Sequence, residues 1–121
     1  MAETPLDRLR CFCLAFPEVT ERMSHGEPTW FIRGKRSFAM FADHHHHDDR
    51  LAVWCAAPPG AKEALIAIDP ERFFNPPYVG TRGWVGVILD PAPDWDEVLD
   101  IVNEAHATIA AKLTTRKVTS R

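Results

Sequence analysis

Residues 73–90, FFNPPYVGTRGWVGVILD, constrain the fold more than any other stretch. Pro76-Pro77 cannot continue a helix and holds the backbone extended. Beyond it Val85, Val87 and Leu89 alternate with Trp84, Gly86 and Ile88, the period of a strand with two distinct faces. Gly83 and Gly86 leave room for a bulge or a close backbone approach. An aromatic pair, Phe73-Phe74, stands before the prolines, and Tyr78, Arg82 and Trp84 gather at the mouth of the strand. A chain holding this segment needs a sheet for it to join.

The flanking sequence supplies one. Thr4-Pro5-Leu6-Asp7 opens a helix, with Thr as N-cap, Pro at the first helical position and an acid in the first turn. Leu6, Leu9, Cys13 and Phe16 form its apolar face, and Pro17 ends it. Glu18 to Glu27 reads as a polar connector holding His25-Gly26. PTWFIRG (28–34) and SFAMFA (37–42) read as paired strands around a two-residue turn at Gly34-Lys35, with Trp30 opposite Ala39 and Phe31 opposite Phe38. A third strand runs from Leu51 to Ala56. After Pro58-Pro59-Gly60 a short helix turns Ala61, Ala64, Leu65 and Ile68 inward. Asp94-Trp95-Asp96-Glu97 opens the last helix as a capping-box variant, with Trp95, Val98, Leu99, Val102, Ile109 and Leu113 as its stripe. The order is α-β-β-β-α-β-α. The expectation is one two-layer α+β domain over 1–121, a four-stranded antiparallel sheet with helices on one face, and a tail that frays from Thr114.

Composition is that of a globular domain, with 45% hydrophobic and 26% charged residues. No apolar run approaches the ~20 residues that span a bilayer, so no membrane is expected. The N-terminal stretch lacks a basic start and an apolar core, and the three cysteines are an odd number without a CxxC pair. Both point to the cytoplasm. Net charge is −3, against nucleic acid as a sum. Distribution runs the other way: Arg33, Lys35 and Arg36 cluster without a nearby acid, as do Lys112, Arg116, Lys117 and Arg121.

Leu14-Ala15-Phe16-Pro17-Glu18, Ser24-His25-Gly26, Pro28, Trp30-Phe31, Gly34-Lys35 and Phe38-Ala39 make a first block of motifs. Asp69-Pro70-Glu71-Arg72-Phe73-Phe74, Pro76-Pro77-Tyr78, Gly80, Arg82-Gly83-Trp84-Val85 and Leu89 make a second, more specific in its spacing. From about Leu6 to Leu113 the pattern resembles the MmcQ/YjbR family. That resemblance implies a double-wing domain, related in shape to the frataxin-like fold, that binds DNA. Contacts to phosphate then fall to Arg33, Lys35, Arg36 and Arg82.

Two other classes compete. One is a small-molecule or protein-binding domain with a pocket at Tyr78, Arg82 and Trp84, joined by His25. The other is metal binding by His44 to His47, flanked by Asp43, Asp48 and Asp49. That loop departs from the family pattern, and a run of adjacent histidines is not preorganised, so a solvated loop is the reading adopted and no metal or other cofactor is expected. His106 shares a helical face with Val102 and Ile109 and reads as a core-edge residue. No Ser or Cys has a recognisable paired base, and no phosphate-binding glycine motif opens a helix, so the chain reads as non-enzymatic, a monomer or homodimer. Alternation places Trp30, Trp54 and Trp84 on the sheet face away from the helices, partly buried rather than as an open platform.

Overall fold

The structure, a computed structural model, describes residues 3–44 and 50–119. Elements follow as α1 (Pro5–Leu14), β1 (Val19–Ser24), β2 (Glu27–Ile32), β3 (Arg36–Asp43), β4 (Leu51–Cys55), α2 (Ala61–Ile68), β5 (Phe73–Phe74), a 3-10 turn (Val79–Arg82), β6 (Val85–Ile88) and α3 (Trp95–Thr119). The α+β class and the antiparallel pairing agree with expectation. The sheet, however, has six strands rather than four, in the order β1-β2-β3-β4-β6-β5.

The two added strands lie at the edges. The stretch read as a polar connector is β1, hairpinned to β2 through His25-Gly26. Both turn residues have positive φ, 55° and 82°, the signature of a type I′ turn. Phe73-Phe74 pairs with Val87 and Gly86 as β5. The β2–β3 turn also differs from expectation. Arg33 and Gly34 are its central residues, at φ 55° and 65°, and Lys35 N–H donates to Ile32 C=O at 3.0 Å. Trp30 does face Ala39, but a bulge between Trp30 and Phe31 sets Phe31 against Ser37 instead of Phe38.

Cross-strand partners share a face of a sheet. One row runs Glu21, Trp30, Ala39, Cys55, Val85, and the opposite face carries Arg22, Thr29, Met40, Trp54, Gly86, Phe74. All three helices lie on the first face. Arg10 of α1 binds Glu21, His106 of α3 shares a cavity with Ile32, and α2 lies beside α3. Trp30 is therefore an inner residue, fully buried under α1, and not part of an outer set as the sequence suggested. Trp54 and Trp84 do face outward, yet only 2% and 3% of their surface is exposed.

Helix caps follow the sequence. Thr4 and Asp7 form a reciprocal capping box. Asp94 Oδ1 accepts from the N–H of Asp96 at 3.0 Å, while Glu97 turns to Arg72 rather than closing a box. Val98, Val102, Ala105 and Ile109 are the buried stripe of α3. Ile68 does not turn inward: it is 77% exposed, and Leu65 and Ile66 carry the packing of α2. The expected fraying from Thr114 falls on the last turns of α3, whose side chains lie outside the described residues.

Candidate nucleic-acid interface

The sheet face away from the helices carries three arginines laid over aromatic rings. The Arg22 guanidinium lies 3.7 Å from the centre of the Phe31 ring, Arg50 4.1 Å from Phe74, and Arg82 5.4 Å from Trp84. Each pair has a local cause. Arg22 occupies an outward position of the edge strand, one row from Phe31, and also donates to Gly34 C=O at 3.4 Å. Arg50 enters β4 beside Phe74, whose ring tip occupies the space that a Cβ on Gly86 would need. Arg82 closes the 3-10 turn, and Gly83 at φ 86° swings the chain into β6. The rings are covered, at 8% exposure or less, while the three guanidinium-bearing residues are exposed. A cation over a ring face is held by the ring quadrupole, with its other face turned away from the ring.

Strand directions decide which residues meet. Ala56 N–H donates to Phe38 C=O and Cys55 pairs with Val85, so β6 begins at the same end of the sheet as the β2–β3 turn. Arg33, Lys35, Arg36 and Arg82 thus share one end. Arg33 is tied to Glu18 at 3.1 Å, which offsets its charge, whereas Lys35 is exposed at the tip. His25 is at the opposite end, where Asp43 N–H donates to Glu27 Oε2 at 3.0 Å. It does not join Tyr78, Arg82 and Trp84 in one pocket, because an antiparallel hairpin carries its two turns to opposite ends of the strand. Tyr78 is 72% exposed. Its φ of 64° and ψ of −67°, with Val79 N–H donating to Pro77 C=O at 2.7 Å, make a γ-turn, a rare and strained conformation.

Against known proteins, the YjbR family model matches residues 14–108. The chain belongs to the YjbR family. Among solved structures, this YjbR domain is similar to Deinococcus radiodurans protein DR2400, a DUF419 domain, with a TM-score of 0.71 and 18% identity over 89% of this chain and 82% of that one. At that identity the likeness is one of fold. None of the curated proteins matches.

Two further features of the YjbR domain bear on chemistry. A cavity of about 90 Å³ opens between α3 and the start of β1, lined by Glu18, Ile32, Arg33, His106 and Leu113. The His106 ring stacks on Phe16 at 4.1 Å, and burial pushes its pKa down, so it is neutral at pH 7. Burial pushes the Cys13 thiol up and the Cys55 thiol up to about 12, so neither is a ready nucleophile. Of the histidine run, His44 is described, with Nδ1 2.5 Å from Asp43 Oδ1. Residues 45–49, and with them the metal-loop reading, lie outside the described residues. Among the described residues no group of three His, Cys, Asp or Glu side chains could hold a metal ion, and no helix is long and apolar enough to cross a membrane.

Arg22 and Arg50 were missed by sequence reasoning. Arg22 sits in a stretch read as connector, and Arg50 follows a loop with no pattern to mark it.

Proposed function

We propose that this domain is a non-enzymatic module that binds single-stranded DNA on its helix-free sheet face. The observation that supports this reading is the trio Arg22/Phe31, Arg50/Phe74 and Arg82/Trp84. Phosphates meet the guanidinium edges, and unstacked bases lie on the outward guanidinium planes, since the rings beneath are covered. Lys35 and Arg36 extend the track past the end of the sheet. The inner face takes the helices and cannot serve. Replacing Arg22, Arg50 and Arg82 together by Gln tests the reading. Fluorescence anisotropy with a labelled oligonucleotide at low salt should show binding by the parent and its loss in the triple variant. A parent that shows no salt-dependent binding, to single strands or duplex, would sink the DNA reading.

Tyr78 supports a second reading. An exposed aromatic ring held on a strained γ-turn beside Arg82 suits contact with a small ligand, because backbone strain concentrates at functional sites. Chemical-shift changes confined to Tyr78 and Arg82 on adding a panel of small anions would favour it, and unchanged spectra across the panel would remove it.

A further inference from the structure

The cavity of about 90 Å³ between α3 and the start of β1 has an apolar side made by Ile32, Ala110 and Leu113. Its polar side is made by His106, Glu18 and Arg33. His106 Nε2 is buried and has no hydrogen-bond partner among the described residues. A buried polar atom left unpaired costs stability, and an occupant, water or ligand, relieves it. The imidazole is held in place by its neighbours. Phe16 stacks on it at 4.1 Å, and the 6.1 Å between Phe16 and Phe38 sets Phe38 beside that stack, 5.2 Å from the imidazole.

Glu18 and Arg33 are about half exposed, and one side-chain hydrogen bond joins them, Arg33 Nε to Glu18 Oε1 at 3.1 Å. The main chain fixes them as well, since Arg33 N–H donates to Glu18 C=O at 2.8 Å. Glu18 Oε2 and the terminal guanidinium nitrogens of Arg33 make no further hydrogen bond among the described residues. The cavity thus offers a carboxylate acceptor, guanidinium donors and the nitrogen of a neutral imidazole, which accepts when the ring proton is on Nδ1. The formal charges cancel. A carboxylate ligand would set its oxygens against Glu18, and an ammonium would meet Arg33. A hydroxyl has one proton to give and leaves one acceptor unserved. A primary carboxamide matches the whole set: its C=O accepts from Arg33, and its two N–H groups donate to Glu18 Oε2 and His106 Nε2.

We propose that this cavity binds a small molecule bearing a primary carboxamide and a short aliphatic tail, with Glu18, Arg33 and His106 holding the amide and Ile32, Ala110 and Leu113 the tail. Size limits the tail, because the space equals that of roughly three waters. Propionamide suits this scale and benzamide exceeds it. So few atoms cap the affinity, and a millimolar dissociation constant is expected. The site borders β1, at the opposite edge of the sheet from β5 and β6, and is separate from Tyr78 and Arg82.

NMR titration of the whole chain with propionamide tests it. Signals of Ile32, His106 and Leu113 should shift and saturate, while those of Tyr78 and Arg82 stay in place. Propionate, propylamine and benzamide should each bind about fivefold more weakly or worse, the cost of a mispaired or unplaced group. His106→Phe keeps a ring against Phe16 and removes Nε2, and should raise the propionamide dissociation constant about fivefold. Glu18→Gln removes the opposing carboxylate charge and leaves that of Arg33 uncovered, so it should turn the preference toward propionate. A cavity with a packing role alone would not show that reversal. The amide spectra of both variants check that they remain folded. Propionamide that produces no saturable shift would overturn the proposal and leave the cavity to water. Charged ligands that bind the parent as tightly as propionamide, or a His106→Phe variant that binds propionamide as tightly as the parent, would overturn it too.

Discussion

Glu21 joins three elements through one carboxylate. It accepts from Arg10 Nε and Nη2 at 2.8 Å and from Trp30 Nε1 at 3.0 Å, linking α1, β1 and β2. The Arg10 hydrogen bonds, reinforced by the indole N–H, hold its pKa below the usual carboxylate range. A carboxyl group depressed on folding adds stability above its unfolded pKa, ~4.3, and loses it as pH falls through the folded value. The melting temperature of the parent should therefore fall with acidification below about pH 4, in the sense these values require. Glu21→Gln should start lower at pH 7 and show a flatter acid limb, and equal slopes in the two proteins would refute the linkage. Gly86 is constrained differently, because the Phe74 ring occupies the place of its absent side chain. Gly86→Ala must displace that ring and with it the seat of Arg50, at a cost of ~1–3 kcal/mol. Chemical denaturation measures it, and an unchanged midpoint would show that the ring moves freely.

At the scale of elements, the helices were legible because their ends carry local chemistry: Thr4 with Asp7, and Asp94 ahead of α3, cap their own backbones in the way sequence spacing implies. β1 was not legible, since VTERMS holds Val19 and Met23 among charged residues and owes its strand state to main-chain pairing with β2 and to the Glu21 bonds. A two-residue strand such as Phe73–Phe74 has no period to read. The bulge at Trp30/Phe31 inverted the assignment of faces: alternation counted from Phe31, Phe38 and Met40 put Trp30 outside, whereas the extra residue lets Phe38 and Trp30 both turn toward the helices. The same hairpin gives a prediction. Arg33 and Gly34 hold the two positive-φ positions of the turn, and Asn-Gly is the preferred pair there. Arg33→Asn relieves the turn and removes only an exposed ion pair with Glu18, worth ~0–1 kcal/mol. Thermal melts should show stability unchanged or slightly raised. Marked destabilisation would mean that the Arg33–Glu18 bond closes the hairpin.

At the scale of the whole molecule, the three ring-bound arginines and the exposed acids of α2 and α3 lie in different layers. Arg22, Arg50 and Arg82 lie on the bare sheet face, while Glu63, Asp96, Asp100 and Glu104 lie on the helices behind it. A net charge of −3 therefore argues less against nucleic acid than the sum suggests. The acids stand off the sheet by about a helix diameter, ~10–12 Å. That distance exceeds the ~8 Å screening length at physiological salt and falls well within the ~30 Å length at 0.01 M. Glu63→Gln combined with Asp96→Asn alters this rear charge without touching the arginine face. Affinity for single-stranded DNA should change less than twofold at physiological salt and rise several-fold at low salt. The slope of log affinity against log salt should also steepen at low salt, beyond the ~0.7 per phosphate contact set by the arginines. Equal strengthening at both salt concentrations would place these acids beside the bound strand, and so place the strand on the helix layer instead of the sheet.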